Sequence, residues 1–111
     1  MVKIATRRLD QTAILDVSGD IDLAHSTELR RVVLVEFREN RTPKVILNLI
    51  AVNYIDSSGV ASLVEGLKAS RDVGARMMLV GLSPIVYEVL ELSKLLKIFE
   101  IYDNETLALQ A

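Results

Sequence analysis

The spacing of apolar positions changes several times along the chain, and each change predicts an element. Residues 2–8 alternate, with Val2 and Ile4 on one face and Lys3 and Arg7 on the other, as in an edge strand. Leu9-Asp10-Gln11 reads as a turn into residues 12–18, where Ala13, Leu15 and Val17 alternate with Ile14, Asp16 and Ser18. So short a connection predicts an antiparallel hairpin with one face buried and the other partly wet. Gly19-Asp20-Ile21-Asp22 then breaks the alternation. Across residues 25–39, Leu29, Val32, Val33 and Phe37 fall at helical spacing, and Asp22 or Ser26 has the better chemistry for capping that helix.

Asn40-Arg41-Thr42-Pro43 ends the helix, because the residue before a proline is restricted to extended angles. Residues 44–50, KVILNLI, are nearly all apolar and predict a central strand covered by helices on both faces. After Asp56-Ser57-Ser58-Gly59, the residues Val60, Leu63, Val64 and Leu67 form a helical stripe, with Glu65, Lys68 and Arg71 outside it. Gly74 closes that unit, and residues 75–80 predict a strand in which Met77 and Met78 fill the core. Ser83-Pro84 marks the start of a helix carrying Ile85, Val86, Val89 and Leu90. A short strand near 99–101 follows, and Asp103 is placed to cap a last helix holding Leu107 and Ala108. The order of elements predicts an α/β fold, a small mixed sheet packed against about four helices, in a single domain spanning residues 1–111.

Composition narrows the function. Thirteen basic residues against 15 acidic ones give a formal charge of -2, with no clustered positive face for nucleic acid. Lys3, Arg7 and Arg8, like Arg30 and Arg31, make patches too small to change this. There is no cysteine, which excludes disulfides and thiolate ligands. The first ten residues lack a signal-peptide core, and no apolar run approaches the roughly 20 residues of a membrane span. These features predict a cytoplasmic protein without an integral membrane segment.

Catalytic patterns are weak. His25 is the only histidine, so a multi-histidine metal site is impossible. Ser58, His25 and Asp56 supply the residue types of a triad, but the Gly-x-Ser-x-Gly elbow is absent. The glycines form neither a phosphate loop nor a dinucleotide fingerprint, and Gly66 reads as a packing position. No catalytic residue, metal or cofactor is expected, and a strong nucleotide site is disfavoured.

The segment Tyr54-Ile55-Asp56-Ser57-Ser58-Gly59-Val60 stands apart because it joins a central strand to an amphipathic helix. Its plain reading is helix capping by Asp56 or Ser57. Its functional reading is that Ser58 displays a hydroxyl to a partner enzyme, with a phosphate there held by the helix amino terminus.

The ordered set Gly19-Asp20-Ile21-Asp22, Leu29-Arg30, Val45-Ile46-Leu47-Asn48-Leu49, Asp56-Ser57-Ser58-Gly59, Ser83-Pro84 and Ile101-Tyr102 resembles the STAS domain family, which includes bacterial anti-sigma factor antagonists. The resemblance implies that the serine immediately before the glycine, Ser58, is the phosphorylation site. It also implies a non-catalytic partner switch. The unphosphorylated chain would bind an anti-sigma factor that is itself a serine kinase, and a PP2C-like phosphatase would restore the binding form. The expected contact set is Asp20, Asp22, Tyr54, Asp56, Ser57, Ser58 and Gly59, if the two loops meet at one end of the sheet. Asn48 stands where many such relatives carry aspartate, which removes one charge behind the site. A non-catalytic scaffold or a regulatory subunit of a signalling or transport complex is the alternative the same resemblance allows.

Overall fold

The computed structural model describes residues 2–111. Five strands form one sheet in the order β1 (Val2–Leu9), β2 (Thr12–Ile21), β3 (Lys44–Ile55), β4 (Arg76–Val80) and β5 (Glu100–Tyr102). The first pair is antiparallel and the remaining three are parallel. Asp10, at the hairpin turn, takes a positive φ of 55°. Four α-helices complete the fold: α1 (Ser26–Arg38), α2 (Ser57–Asp72), α3 (Pro84–Leu92) and α4 (Glu105–Gln110), with a single 3-10 turn at Leu96–Ile98.

The sheet divides the core in two. Ala13, Leu15, Val17, Val45, Leu47, Leu49, Met77 and Leu79 pack with Leu29, Val33 and Phe37 of α1, Leu63 and Leu67 of α2, and Val86 and Leu90 of α3. The opposite face carries a smaller cluster, Ile14, Ile46, Met78 and Val80, closed by Ala108 of α4. The near-continuous apolar run of β3 therefore has the reason expected for it, since neighbouring residues serve different clusters. Truncating a fully buried leucine such as Leu47 or Leu63 costs about 2–5 kcal/mol in cores of this kind. Gly66 lets α2 sit close, because an added Cβ would lie 2.8 Å from Cγ1 of Val33.

Polar contacts fasten the layers. The buried carboxylate of Glu36 accepts two bonds from Arg8, at 2.7 and 3.1 Å, one from the Thr42 hydroxyl at 2.7 Å and one from Asn40. Arg7 bridges Asp16 and Glu105, both at 2.6 Å, and so ties β1 to β2 and α4.

The strands run further than their alternation suggests. β2 continues through Gly19, at φ 90°, to Ile21, and β3 continues past residue 50 to Ile55. The register shifts twice, so that Asp16, Ser18, Gly19 and Asp20 pair with Asn48, Ala51, Val52 and Tyr54. Two extra residues in β3 are thus bulged, and the inward positions become Leu49, Val52 and Ile55, three apart instead of two.

The caps need three corrections. α4 is capped by Asn104, whose side chain accepts from the Leu107 N–H, and not by Asp103. α1 has His25 at its N-cap, with no side-chain cap bond, in place of Asp22 or Ser26. Ser83 does precede Pro84, but its buried hydroxyl makes no capping bond; Pro84 supplies the preset backbone angle.

Candidate functional site

The extended ends of β2 and β3 lie side by side, with Asp20 opposite Tyr54 and Ile21 opposite Ile55. The loops that follow them meet, as the sequence suggested. Asp56 is the residue that joins them. Its Oδ1 accepts from the N–H groups of Ser58 (2.9 Å) and Gly59 (3.1 Å), which caps α2. Its Oδ2 accepts from the N–H of Leu23 at 3.1 Å, across the gap to the β2–α1 loop. The Asp56 N–H donates in turn to the Ile21 carbonyl. One carboxylate therefore satisfies three backbone donors that helix and loop ends would otherwise leave open.

Gly59 completes the joint. It is buried, and a Cβ built on it would lie 2.3 Å from the Ile21 carbonyl oxygen and 2.7 Å from Cγ1 of Ile55. Only a residue without a side chain lets α2 start this close to the end of β2.

On the other side of the gap, Asp22 closes its own turn. Its Oδ1 accepts from the His25 N–H at 3.1 Å and lies 2.6 Å from Nδ1 of the His25 ring. Desolvation pushes the Asp22 carboxyl up, but the bonds from His25 outweigh it and hold the group below its ordinary value. His25 is thus engaged with Asp22 and not with Asp56 or Ser58, so the paper triad is not assembled. Among the described residues no three His, Cys, Asp or Glu side chains gather as a metal site.

The seven expected contact residues thus lie around one end of the sheet in different settings. Ser57 and Tyr54 are exposed, Asp20, Asp22, Asp56 and Ser58 are half-buried, and Gly59 is enclosed. Ser58 is the second residue of α2, and its hydroxyl makes no hydrogen bond among the described residues. Its backbone N–H is held by Asp56 and its carbonyl accepts from the Ser62 hydroxyl at 3.2 Å. The helix amino terminus is consequently a poorer cradle for a phosphate than the sequence suggested, because Asp56 already takes the Ser58 and Gly59 donors.

Three nearby residues lie outside the expected contact set. Leu23 is 76% exposed at the tip of the loop that Asp56 holds. Arg30 of α1 pairs with Glu65 of α2 at 3.2 Å. A shallow depression between the two helices is lined by Leu23, Ser26, Arg30, Ser58, Ser62 and Glu65. A lone leucine in a polar loop, and single charges on two helices, look the same in sequence wherever they point.

Asn48 sits elsewhere. Its Nδ2 donates to Asp16 at 3.3 Å and its Oδ1 accepts from the Ile50 N–H. Beside the Asp16 carboxylate an amide is a donor where an aspartate would be a second like charge.

Comparison with known proteins gives the context. The chain is 32% identical over 97 residues to the anti-sigma F factor antagonist of Paenibacillus polymyxa, covering 86% of this chain and 82% of that one. The crystal structure of a Thermotoga maritima protein described as an anti-sigma factor antagonist matches with a TM-score of 0.89 and 27% identity, over 96% of this chain and 92% of that one. The Bacillus cell fate determinant SpoIIAA in its phosphorylated form shares the fold at a TM-score of 0.75, with 19% identity and 97% of each chain covered. The STAS domain pattern matches residues 3–108, and with the mixed five-stranded sheet and four α-helices described above, the chain belongs to the STAS domain family.

Proposed function

We propose that this chain is a non-catalytic anti-sigma factor antagonist of the cytoplasm, switched by phosphorylation at Ser58. In its unmodified form it binds a cognate anti-sigma factor and so frees a sigma factor. That anti-sigma factor is also the kinase: the Ser58 Oγ takes the γ-phosphoryl group of ATP, the serine proton is lost and ADP leaves. A PP2C-like phosphatase hydrolyses the ester and restores the binding form.

The observation that carries this reading is the Ser58 hydroxyl. It is unbonded at the outer end of α2, while the carboxylates around it, Asp56 and Asp22, are committed to holding the loops. The site therefore offers a fixed backbone frame that presents an unbonded nucleophilic oxygen at Ser58. The names of relatives, anti-sigma factor antagonists, support the antagonist part of this reading.

Phosphorylation adds about -1.5 to -2 charge and three strong acceptor oxygens. The fold tolerates this because, among the described residues, the Ser58 hydroxyl makes no hydrogen bond on which the fold depends. A partner surface fitted to a neutral hydroxyl does not, since it must desolvate and face the phosphate. The expected loss of affinity is about 2–5 kcal/mol. Calorimetry of the unmodified and phosphorylated chains with the cognate anti-sigma factor tests this, with circular dichroism as the check on folding. Equal affinities would sink the switch. Ser58→Ala should retain binding and accept no phosphate from the kinase.

A further inference from the structure

The helix end leaves a phosphate on Ser58 few open N–H donors. Asp56 already occupies the Ser58 and Gly59 N–H groups, and the Val60 N–H begins the helical ladder by donating to the Asp56 carbonyl. The depression beside Ser58 has one cation among its described lining residues, Arg30, and one anion, Glu65.

We propose that Arg30 is the phosphate-receiving residue of the switch: when Ser58 is phosphorylated, the Arg30 guanidinium leaves Glu65 and pairs with the phosphoserine, bridging α1 to the start of α2. This rests on the reading of Ser58 as the modified residue.

The helix pairing makes the exchange short. The Ser62 hydroxyl donates to the carbonyls of both Ser26 and Ser58, at 3.0 and 3.2 Å, so the first turn of α1 lies against the first turn of α2. Arg30 is one turn beyond Ser26, and helical side chains lean toward the amino terminus of their own helix, here toward the Ser58 level. Its present partner holds it loosely. The Arg30–Glu65 contact is a single bond of 3.2 Å between side chains that are 43% and 47% exposed. Such a pair contributes little and exchanges readily. A phosphate dianion offers three oxygens to the planar fork and forms the stronger bond. Of the carboxylates in the two loops, Asp56 already accepts from three N–H groups and Asp22 from His25.

The test uses the full chain with phosphoserine placed at position 58 by genetic encoding, which needs no kinase. Phosphorus NMR follows the second ionisation of the phosphate, ordinarily near pH 6. A paired cation favours the dianion and lowers that midpoint. In Arg30→Gln the midpoint should rise by about half a pH unit toward the ordinary value, with Arg30→Lys between the two. In the wild-type protein, the Arg30 Nε–H and the Glu65 carboxyl carbon should both shift on phosphorylation. An unchanged midpoint in folded Arg30→Gln, or an unmoved Arg30 Nε–H in the wild type, would overturn the proposal. The partner-affinity measurement is separate: a phosphorylated chain with the lowered midpoint that still binds its anti-sigma factor fully would refute the switch and leave the Arg30 pairing in place.

Discussion

The carboxylate of Asp56 and the backbone N–H of Leu23 meet at 3.1 Å, although 33 residues separate them in the chain. This bond makes two loops into one surface. An Asp56→Ala change should lower the unfolding free energy by about 1–2 kcal/mol through loss of the cap. Asp56→Asn is the more informative variant. Its single oxygen can still cap α2, but an NH2 then faces the Leu23 N–H, donor against donor. Urea titrations should show a smaller loss for Asp56→Asn, while hydrogen exchange at the Leu23 amide accelerates at least about tenfold, as for a bond worth over 1 kcal/mol.

Gly59→Ala tests the close approach at the joint. The new methyl group would lie 2.3 Å from a backbone oxygen that cannot rotate away, so α2 or the end of β2 must move. Overpacking of this kind costs about 1–3 kcal/mol. We expect a lower thermal midpoint together with amide chemical-shift changes at Ile21, Asp22 and Leu23. A variant as stable as the wild type, with those shifts unchanged, would contradict the geometry.

The backbone of Leu23 is held in place while its side chain is 76% exposed, which is the pattern of an interface anchor. Leu23→Ala should leave stability within about 0.5 kcal/mol, as surface changes do. Affinity for the cognate anti-sigma factor should fall by about 1–2 kcal/mol if the leucine is buried by that partner. Calorimetry and a urea titration on one preparation separate the two effects. An unchanged affinity would remove Leu23 from the contact surface.

Glu36 sets a pH dependence. Burial raises its carboxyl, but the bonds from Arg8, Thr42 and Asn40 outweigh burial and hold it below its ordinary value. A carboxyl lowered in the folded state contributes stability that is present above its unfolded value, about 4.3, and is lost as pH falls through the folded one. Glu36→Gln should therefore cost about 1–3 kcal/mol at pH 7. The gap between variant and wild type should narrow as the pH is taken below about 4, measured by urea titrations across that range. A gap that stays constant would show that the charge of Glu36 is not what matters.

Much of this molecule is readable from periodicity. The alternation of Ala13, Leu15 and Val17 gives the buried side of β2, and the stripe of Leu29, Val33 and Phe37 gives the inner face of α1. Where the sequence misleads, the cause is local. Bulges in β3 change the inward spacing from two residues to three, so the strand appears to stop near residue 50 when it runs to Ile55. Asp103 and Asn104 are adjacent residues of similar capping chemistry, and only the path of the chain selects the second. The site divides along the same line. Asp56 as a cap and Ser58 at the start of a helix follow from residue type and position. The bond to Leu23, the contact that requires Gly59 and the pairing of Arg30 with Glu65 depend on distances between segments that no short-range pattern encodes.

The fixed backbone around Ser58 has a consequence for whatever reads it. An enzyme that modifies an extended peptide recognises the residues before and after its target laid out in a line. Here the residues after Ser58 turn away into α2, its carbonyl is engaged by Ser62, and its N–H is closed off by Asp56. The neighbours in space come from another part of the chain, Leu23 and Arg30. An enzyme acting on Ser58 therefore meets a shape assembled from two segments and not a consensus string. A synthetic peptide spanning residues 50–66 lacks that shape, however faithfully it copies the letters.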